Sequence, residues 1–415
     1  MTTNTSPFPG TGSGALVSDA ELAALTDHLG ARLPGFLADL EHLVSIDCGS
    51  YTKRGVDEVA TWTATALRDL GASVTRHANE TLGDTIVGVF DGQTEGPHVL
   101  LIGHLDTVFP EGTAAERPFR VEGGIARGPG VTDMKSGLLA GLYAIGAVRS
   151  ATPRPLPFGR LTFIANPDEE IGSPASTPII REVAASADVC LVLECARANG
   201  DIVSARKGII DSRLVFHGRA AHAGVEPEKG RNAIHAAADA VIRLQALHGR
   251  WPGVTASVGV IGGGSRPNVV PDHAALEVDI RSATREALEA ATAEVRAIAA
   301  SPAVPDVTVT IEEMGRHWPM ERLERSGRLV DHAVGLAARM GFPLADTLTG
   351  GASDANTTAG MGVPTLDGLG PIGGLDHSPD EYLEVDSIVP RTALLAALLL
   401  AVGRDPTVAS WRAGG

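Results

Sequence analysis

Apolar residues along the chain recur in two patterns that predict helices and buried strands. Helical spacing covers 18–43 and 56–70, and short continuous apolar runs are typical of strands buried on both faces. The runs are the strands 98–103, 160–165 and 189–193, with a further helix at 135–148. Strands separated by helices predict an α/β fold, a mixed sheet with helices on both faces.

From about residue 209 the apolar pattern changes to alternation of polar and apolar positions, which predicts strands with one solvent-exposed face. Two helices on one face of a small sheet would form an α+β arrangement, distinct from the surrounding pattern. The elements are the strands 212–217, 274–280 and 307–311 and the helices 232–247 and 285–299.

The length of 415 residues is typical of two domains. Because the α/β pattern returns near residue 322, we expect a discontinuous α/β domain formed by 18–208 and 322–415. The α+β domain is then an insertion at 209–321. The segment 1–17, rich in Thr, Ser, Gly and Pro, is expected to be flexible.

Charge and cysteine content exclude several classes of protein. The formal net charge is −16 and no cluster of Lys and Arg occurs, so we expect no nucleic-acid partner. Cys48, Cys190 and Cys195 have no paired spacing and are expected to be buried small residues, not disulfides.

The longest apolar stretch, 392–402, is shorter than a membrane span of about 20 residues. With no signal peptide pattern at the N-terminus, we expect a cytoplasmic protein without a membrane partner and with a buried helix at 392–402.

Side chains that bind metals follow the buried strands. Ligands of open α/β sheets bind at the carboxyl ends of the strands, so this placement is informative. A histidine and an aspartate follow the first buried strand, two glutamates follow the second, and one glutamate follows the third. The candidate metal-binding side chains are His104, Asp106, Asp133, Glu169, Glu170, Glu194 and His377.

Each of these residues alone has an ordinary explanation. One of 13 histidines is more often a surface or core residue than a ligand. Glu169 and Glu170 could begin a solvated helix, and Asp133 could be a helix N-cap. Two histidines and three carboxylates together, however, equal the ligands of two metal ions with a place left for water.

The segments that contain these residues resemble the signatures of one family. This is the co-catalytic zinc peptidase family of carboxypeptidase G, aminoacylase, acetylornithine deacetylase and peptidase T. The resemblance extends over nearly the whole chain beyond about residue 35, and it is greatest to the glutamate carboxypeptidase branch. The segments, in the family's order, are GHLDTVFPEGT at 103–113, GPGVTDMKSG at 128–137, DEEIGS at 168–173, GGASD at 350–354 and the final His377.

This resemblance implies a zinc-peptidase catalytic domain with two Zn²⁺ ions per subunit, for which Co²⁺ or Mn²⁺ could substitute. Asp133 would bridge both ions. His104 and Glu194 would complete one site, and Glu170 and His377 the other.

Further roles are implied for residues beside the metals. Asp106 would hold the imidazole of His104 in one tautomer. Glu169 would be the general base that takes a proton from water and passes it to the leaving nitrogen. The peptide bond between Asp133 and Met134 would be cis.

The inserted domain resembles the family's lid and dimerisation domain. His222 would donate to the oxyanion in the neighbouring subunit of a homodimer, although alone it would pass for a turn residue at a strand end. Asn268 would contact a substrate carbonyl. Lys207 and Arg316 would hold substrate carboxylates, and Gly351 would lie beside the substrate.

Three functions remain open at this point. The first is a carboxypeptidase that releases a C-terminal glutamate-like residue from a peptide or N-acyl amino acid. The second is an N-acyl amino acid deacylase of the acetylornithine or succinyl-diaminopimelate type. The third is a binding or scaffolding protein without turnover, which the intact ligand set and Glu169 disfavour.

Overall fold

The structure is a computed structural model that describes residues 16–93, 95–152 and 155–412. The chain divides into two compact units, which we call the first and the second unit. The first unit comprises Met1–Ser204, Arg322–Thr347 and Ser353–Gly415, and the second comprises Ala205–Glu321 and Leu348–Ala352.

The helices of the described residues are α1 Asp19–Val44, α2 Lys53–Asp69, α3 Thr113–Glu116, α4 Ser136–Ala151, α5 Thr177–Ala184, α6 Ala233–Gln245, α7 Arg285–Ala300, α8 Glu324–Arg339, α9 Asp354–Gly360, α10 Val385–Arg404 and α11 Val408–Trp411.

The strands are β1 Ser73–His77, β2 Thr85–Asp91, β3 His98–His104, β4 Arg120–Glu122, β5 Ile125–Arg127, β6 Arg160–Asn166, β7 Val189–Val192, β8 Ile202–Arg206, β9 Gly208–His217, β10 Ala221–His222, β11 Thr255–Gly263, β12 Val269–Val270, β13 His273–Ser282, β14 Thr308–His317, β15 Asp346–Thr349, β16 Thr365–Leu366, β17 Gly373–Gly374 and β18 Tyr382–Glu384.

The first unit is built on a six-stranded mixed sheet of order β1-β2-β6-β3-β7-β16. Strand β3 runs parallel to both of its neighbours, β6 and β7, whereas β1 and β2 are antiparallel additions at one edge. Both faces of β3 are buried: Val99 and Leu101 point into the cluster formed with α1, α4 and α10, and Leu100 and Ile102 are fully buried as well.

The second unit is a four-stranded antiparallel sheet of order β11-β13-β9-β14 with α6 and α7 packed on it. Alternate residues such as Leu214 and Leu276 form its core with the helices. The predicted α/β fold with an α+β second unit is confirmed. Some details of this unit were wrong. The strands β10, β11 and β12 were not predicted, and β14 extends to His317 instead of ending at residue 311.

Helix α1 begins where the sequence predicts. The Ser18 hydroxyl accepts from the backbone N–H of Glu21, and the Glu21 carboxylate accepts from the backbone N–H of Ser18, which is a capping box. Of the segment 1–17, only residues 16 and 17 are described. The prediction of flexibility is wrong for Val17, which is fully buried against the core of the first unit. Residues 1–15 lie outside the described residues.

The second unit starts before the predicted insertion and includes Leu348–Ala352. Hydrogen bonds within the unit explain this. The backbone N–H of Lys207 donates to the Thr349 carbonyl, and the side chains of Arg206 and Arg281 donate to the Gly351 and Gly350 carbonyls.

Helix α10 is a buried core helix, as predicted, but its 20 residues exceed the predicted apolar stretch. Its length and composition would suffice to cross a membrane, yet 78% of its most apolar window is buried in the fold. The buried Arg391 donates to the carbonyls of Gly200, Gly368 and Gly370. These three bonds stabilise the buried guanidinium. Arg391 interrupts the apolar pattern of the sequence, yet it can lie inside the helix for this reason.

Candidate metal centre

Three parallel strands place candidate ligands at one edge of the large sheet. Strand β3 ends at His104, the next residues after β6 lead to Glu169 and Glu170, and β7 is followed by Glu194. Because β6, β3 and β7 are adjacent and parallel, their carboxyl ends meet at the same edge. Binding sites of open α/β sheets lie at this edge.

Asp133 reaches the same place from the turn that precedes α4. Gly130 adopts a left-handed conformation with φ 71°, a backbone geometry that glycine adopts without a Cβ penalty. The peptide bond between Asp133 and Met134 is cis, so this prediction is confirmed.

Two clusters of ligand atoms share Asp133. In the first, His104 Nε2 lies 3.0 Å from Asp133 Oδ1 and 3.7 Å from Glu194 Oε1. In the second, His377 Nε2 lies 3.1 Å from both Asp133 Oδ2 and Glu170 Oε2. Within each cluster all ligand atoms lie within 4.8 Å of one another. Asp133 therefore offers one carboxylate oxygen to each cluster.

The donor set suits divalent metal ions. Imidazole nitrogens and carboxylate oxygens are zinc ligands, and Glu170 Oε1 is buried without a hydrogen-bond partner. Such an atom is costly to bury unless a ligand satisfies it. A cation bound at the second cluster would satisfy this buried Glu170 oxygen, which has no hydrogen-bond partner.

The electrostatics of the cluster favour cations. Hydrogen bonds with Asp133 and Glu170 raise the pKa of His377 to about 11. Burial opposes a charge on His104, but its bonds with Asp106 and Asp133 outweigh burial and raise the pKa of His104 well above its usual range. A divalent ion would replace these protons, because metal ligands must be deprotonated.

Asp106 connects His104 with the glutamate pair. Its carboxylate accepts from the Ser50 hydroxyl at 2.6 Å and from the backbone N–H groups of Glu169 and Glu170 at 3.2 Å each. His104 Nδ1 lies 3.0 Å from the Asp106 carbonyl and 3.3 Å from its carboxylate. Both Asp106 oxygens accept, so Nδ1 donates here. When a metal replaces the proton on Nε2, that nitrogen is the one that would bind the metal.

Glu169 lies beside the two clusters without belonging to either. Burial, followed by the negative charge of Glu194, raises the pKa of its carboxyl well above the usual range. Buried hydrogen bonds stabilise the loop after β6 that carries Glu169. In them, Asp354 accepts from the Ser173 hydroxyl at 2.6 Å and from the Asn166 amide at 2.8 Å. A carboxylate with a raised pKa is a more effective proton acceptor for water than an ordinary one.

One residue of this region was missed by the sequence analysis. Glu381 is 1% exposed, and its carboxylate accepts from the backbone N–H groups of Gly130, Thr132 and Asp133. No sequence pattern indicates it, because its partners are backbone groups that every residue type offers.

The remaining predicted residues belong to the second unit. His222 lies in β10, exposed, and its Nδ1 accepts from the Gly224 backbone at 3.2 Å. Asn268 is also exposed, and its carbonyl accepts from the Ala223 backbone. Gly351 accepts from Arg206, as described above.

Arg316 is already paired within the second unit. Its Nε and Nη2 donate to the two carboxylate oxygens of Glu313 at 2.8 and 2.6 Å, and its guanidinium lies 5.0 Å from the ring centre of Trp318. Lys207 also interacts through its backbone N–H with Thr349. The predicted carboxylate-binding role therefore requires Arg316 to exchange one carboxylate for another.

Comparison with known proteins identifies the family. Residues 100–401 match the model of peptidase family M20/M25/M40. The chain is 32% identical over 375 residues to carboxypeptidase G2 of Pseudomonas sp. (strain RS-16), covering 89% of this chain and 90% of the relative. The chain belongs to peptidase family M20/M25/M40. It is therefore a metal-dependent hydrolase of the M20 metallopeptidases and amidohydrolases.

Other M20 relatives differ in their activities. A succinyl-diaminopimelate desuccinylase of Dechloromonas aromatica is 28% identical over 327 residues, covering 74% of this chain and 84% of the relative. The solved structure of aminopeptidase PepT from Bacillus cereus shares the M20 fold with a TM-score of 0.74 and 22% identity, covering 93% of this chain and 99% of that one. These matches support the family and the fold but not one substrate.

Proposed function

We propose that this M20 enzyme is a two-zinc hydrolase that cleaves the amide bond of peptides or N-acyl amino acids. The observation that carries the proposal is the pair of ligand clusters that share Asp133. His104 and Glu194 would complete one zinc site, and Glu170 and His377 the other. Each site has three protein ligands, which leaves room for water or substrate, as in catalytic zinc sites.

The residues around the clusters have distinct parts in the reaction. When bound, the zinc pair supplies Lewis acidity to the scissile carbonyl and to the attacking water. Glu169 accepts the proton of that water and passes it to the leaving nitrogen. Asp106 fixes the His104 ring and the backbone of Glu169 in one arrangement, so that the base and the ligand keep their relative positions.

We propose further that the enzyme is a homodimer in which His222 of one subunit donates to the oxyanion in the other. His222 Nδ1 accepts from the Gly224 backbone N–H, which leaves Nε2 as the nitrogen that would donate. Strand β11 lies at an edge of the second unit's sheet, with Val260 and Ile261 54% and 55% exposed. An exposed apolar edge strand favours pairing with another chain.

For the substrate, we propose a C-terminal residue with an acidic side chain, released as in a carboxypeptidase. The similarity to carboxypeptidase G2 over 89% of the chain supports this. Lys207 and Arg316 would hold the substrate carboxylates, Asn268 would contact a carbonyl and Gly351 would lie beside the substrate.

A second candidate is an N-acyl amino acid deacylase. The pairing of Arg316 with Glu313 favours it, since an arginine that already binds a carboxylate holds a second one less well. The desuccinylase relative supports the same reading.

A substrate panel separates the two candidates. Dipeptides and N-acyl amino acids that differ only in the C-terminal residue (Glu, Asp, Gln, Leu or Lys) would be compared by kcat/KM. The carboxypeptidase proposal predicts the highest values for Glu, with Gln as the uncharged control. Equal values for Glu and Gln, together with a strong dependence on the acyl group, would favour the deacylase.

A further inference from the structure

Glu381 binds the backbone of the turn that presents Asp133. Its Oε2 accepts from Gly130 N–H at 2.8 Å, and its Oε1 accepts from Thr132 N–H at 2.8 Å and from Asp133 N–H at 3.0 Å. Three donors on one buried carboxylate are charge-assisted hydrogen bonds, about twice as strong as neutral ones. The position of the Asp133 backbone therefore depends on this carboxylate.

Glu381 also belongs to the segment that carries His377. This segment is a hairpin formed by β17 and β18, with His377 at its tip in a left-handed conformation of φ 61°. A second bond links the same two segments, because the Thr132 hydroxyl donates to the Tyr382 carbonyl at 2.6 Å. A Cβ at Gly373 would lie 2.0 Å from the Thr132 hydroxyl oxygen, so the hairpin and the turn are in close contact.

We propose that Glu381 is a positioning residue for the second metal site, which sets the distance between Asp133 and His377. The proposal rests on the metal roles given above. His377 is 55% exposed in its side chain and lies on a hairpin tip, so packing contributes little to its position. The hydrogen bonds between the hairpin and the turn therefore fix the position of His377 Nε2, which lies 3.1 Å from Asp133 Oδ2.

The substitution Glu381→Gln tests the charge and the hydrogen bonds of Glu381 while the shape of the side chain stays the same. Glu381→Gln has the same volume, but its amide group would direct donors towards at least one of the three backbone donors. We expect weaker Zn²⁺ binding, by about 10- to 100-fold, as is typical when a group supporting a metal ligand is lost. The larger loss should fall on the site of Glu170 and His377, because that site depends on both joined segments, whereas the site of His104 and Glu194 shares only Asp133 with them.

The experiment measures metal binding directly. Metal-free wild type and Glu381→Gln are titrated with Zn²⁺ by calorimetry, and with Co²⁺ by its visible absorption, which depends on ligand number and geometry. Asp380→Asn is the matched control, since this neighbouring carboxylate is exposed. The proposal expects, in Glu381→Gln only, an altered Co²⁺ spectrum and Zn²⁺ binding that is weakened more at one site than at the other. Excess Zn²⁺ should restore its activity, because the base Glu169 is intact.

The other possible results of these metal titrations show separately whether the inference about Glu381 or the proposed function fails. Equal Zn²⁺ affinities and Co²⁺ spectra for Glu381→Gln and wild type would overturn this inference while leaving the proposed function intact. Wild type that binds no metal at the clusters would instead overturn the proposed function. If Glu381→Gln does not fold, Glu381→Asp decides, because it keeps the charge but is one methylene shorter. Its Zn²⁺ affinity should still be reduced, and an unchanged affinity would contradict the proposal.

Discussion

The two compact units hold their candidate functional side chains in different ways. In the first unit His104 and Asp106 are 1% and 0% exposed, and the Asp106 carboxylate has partners on three separate segments. In the second unit His222 and Asn268 are exposed, and their hydrogen bonds are to residues of the same short strand pair, β10 and β12, or its flanks.

This difference in burial and in the number of hydrogen-bond partners leads to different expectations for substitutions in the two units. Buried groups with several partners have one arrangement, because each alternative would leave polar atoms unsatisfied. Arg316 and Glu313 form a partly exposed ion pair, with side chains 24% and 43% exposed. Surface ion pairs contribute about 0–1 kcal/mol, so Arg316 can exchange Glu313 for a ligand, although it holds that ligand less well than an unpaired arginine would. We expect substitutions in the first unit to affect metal binding and kcat. In the second unit we expect substitutions of Arg316 to affect substrate choice, whereas His222, the proposed oxyanion donor, should affect kcat without changing metal content.

The largest effect should come from Glu169→Gln. Removing a general base costs about 100- to 10,000-fold in kcat, while the metal content should stay at the wild-type level because Glu169 lies outside both clusters. The check is kcat together with metal analysis of the same sample.

Glu170→Gln is the matched control for this substitution, because it changes the adjacent carboxylate in the same way. It should lose metal. If Glu169→Gln were the metal-depleted variant instead, the roles of the two glutamates would be exchanged.

The second-largest effect should come from His222→Ala, which should lower kcat by about 100- to 1000-fold, as for other oxyanion donors. Metal content should not change. The decisive version mixes His222→Ala with Glu169→Gln under conditions of subunit exchange. One site of each mixed dimer then has both defects and the other has neither, so about half the wild-type activity per mixed dimer should return. No recovery despite confirmed exchange would mean that His222 does not act across subunits.

Asp106→Asn should weaken metal binding by about 10- to 100-fold, because the new amide would oppose the N–H groups of Glu169 and Glu170. Asp188→Asn is the control: its carboxylate accepts from the His98 backbone at the start of β3, at the opposite end of the same strand. Zn²⁺ affinity measured by calorimetry should fall for the first variant alone. An equal fall in both would show general destabilisation instead of a role beside the metals.

Arg316→Ala should give the smallest effect. Loss of a charged hydrogen-bond partner costs about 1.5 kcal/mol at the low end, or roughly tenfold in KM. The increase should be confined to substrates with a C-terminal Glu or Asp. Glu313→Gln, which removes the competing carboxylate, should lower KM for the same substrates. Unchanged discrimination in both variants would favour the deacylase.

The candidate metal ligands of the first unit could be predicted because strand ends and ligand types coincide there. His104 ends β3, Glu194 lies two residues beyond β7, and Glu170 lies four residues beyond β6. Such buried strands are recognisable from continuous apolar runs. Strand β11 was missed because its glycines and exposed apolar residues follow neither the alternating nor the continuous pattern. Leu348–Ala352 was assigned to the wrong unit because its bonds are made by backbone carbonyls, which no residue pattern indicates.

Substrate contacts could not be predicted with the same detail. Arg316 was recognised as a candidate cation, but its bidentate pairing with Glu313, three residues earlier on the same strand, depends on a register shift in β14 between Glu313 and Gly315. Such an irregularity changes which side chains become neighbours, and the sequence does not specify it.

The central claim is tested most directly by the number of metal ions that bind after substitution of three of the five candidate ligands in the two clusters. Metal-free protein is loaded with Zn²⁺, freed of excess ion and analysed for zinc per chain. The account predicts two ions for wild type, one each for His104→Ala and His377→Ala, and none for Asp133→Ala, because Asp133 belongs to both clusters. Two ions retained by Asp133→Ala, or one ion in wild type, would contradict it.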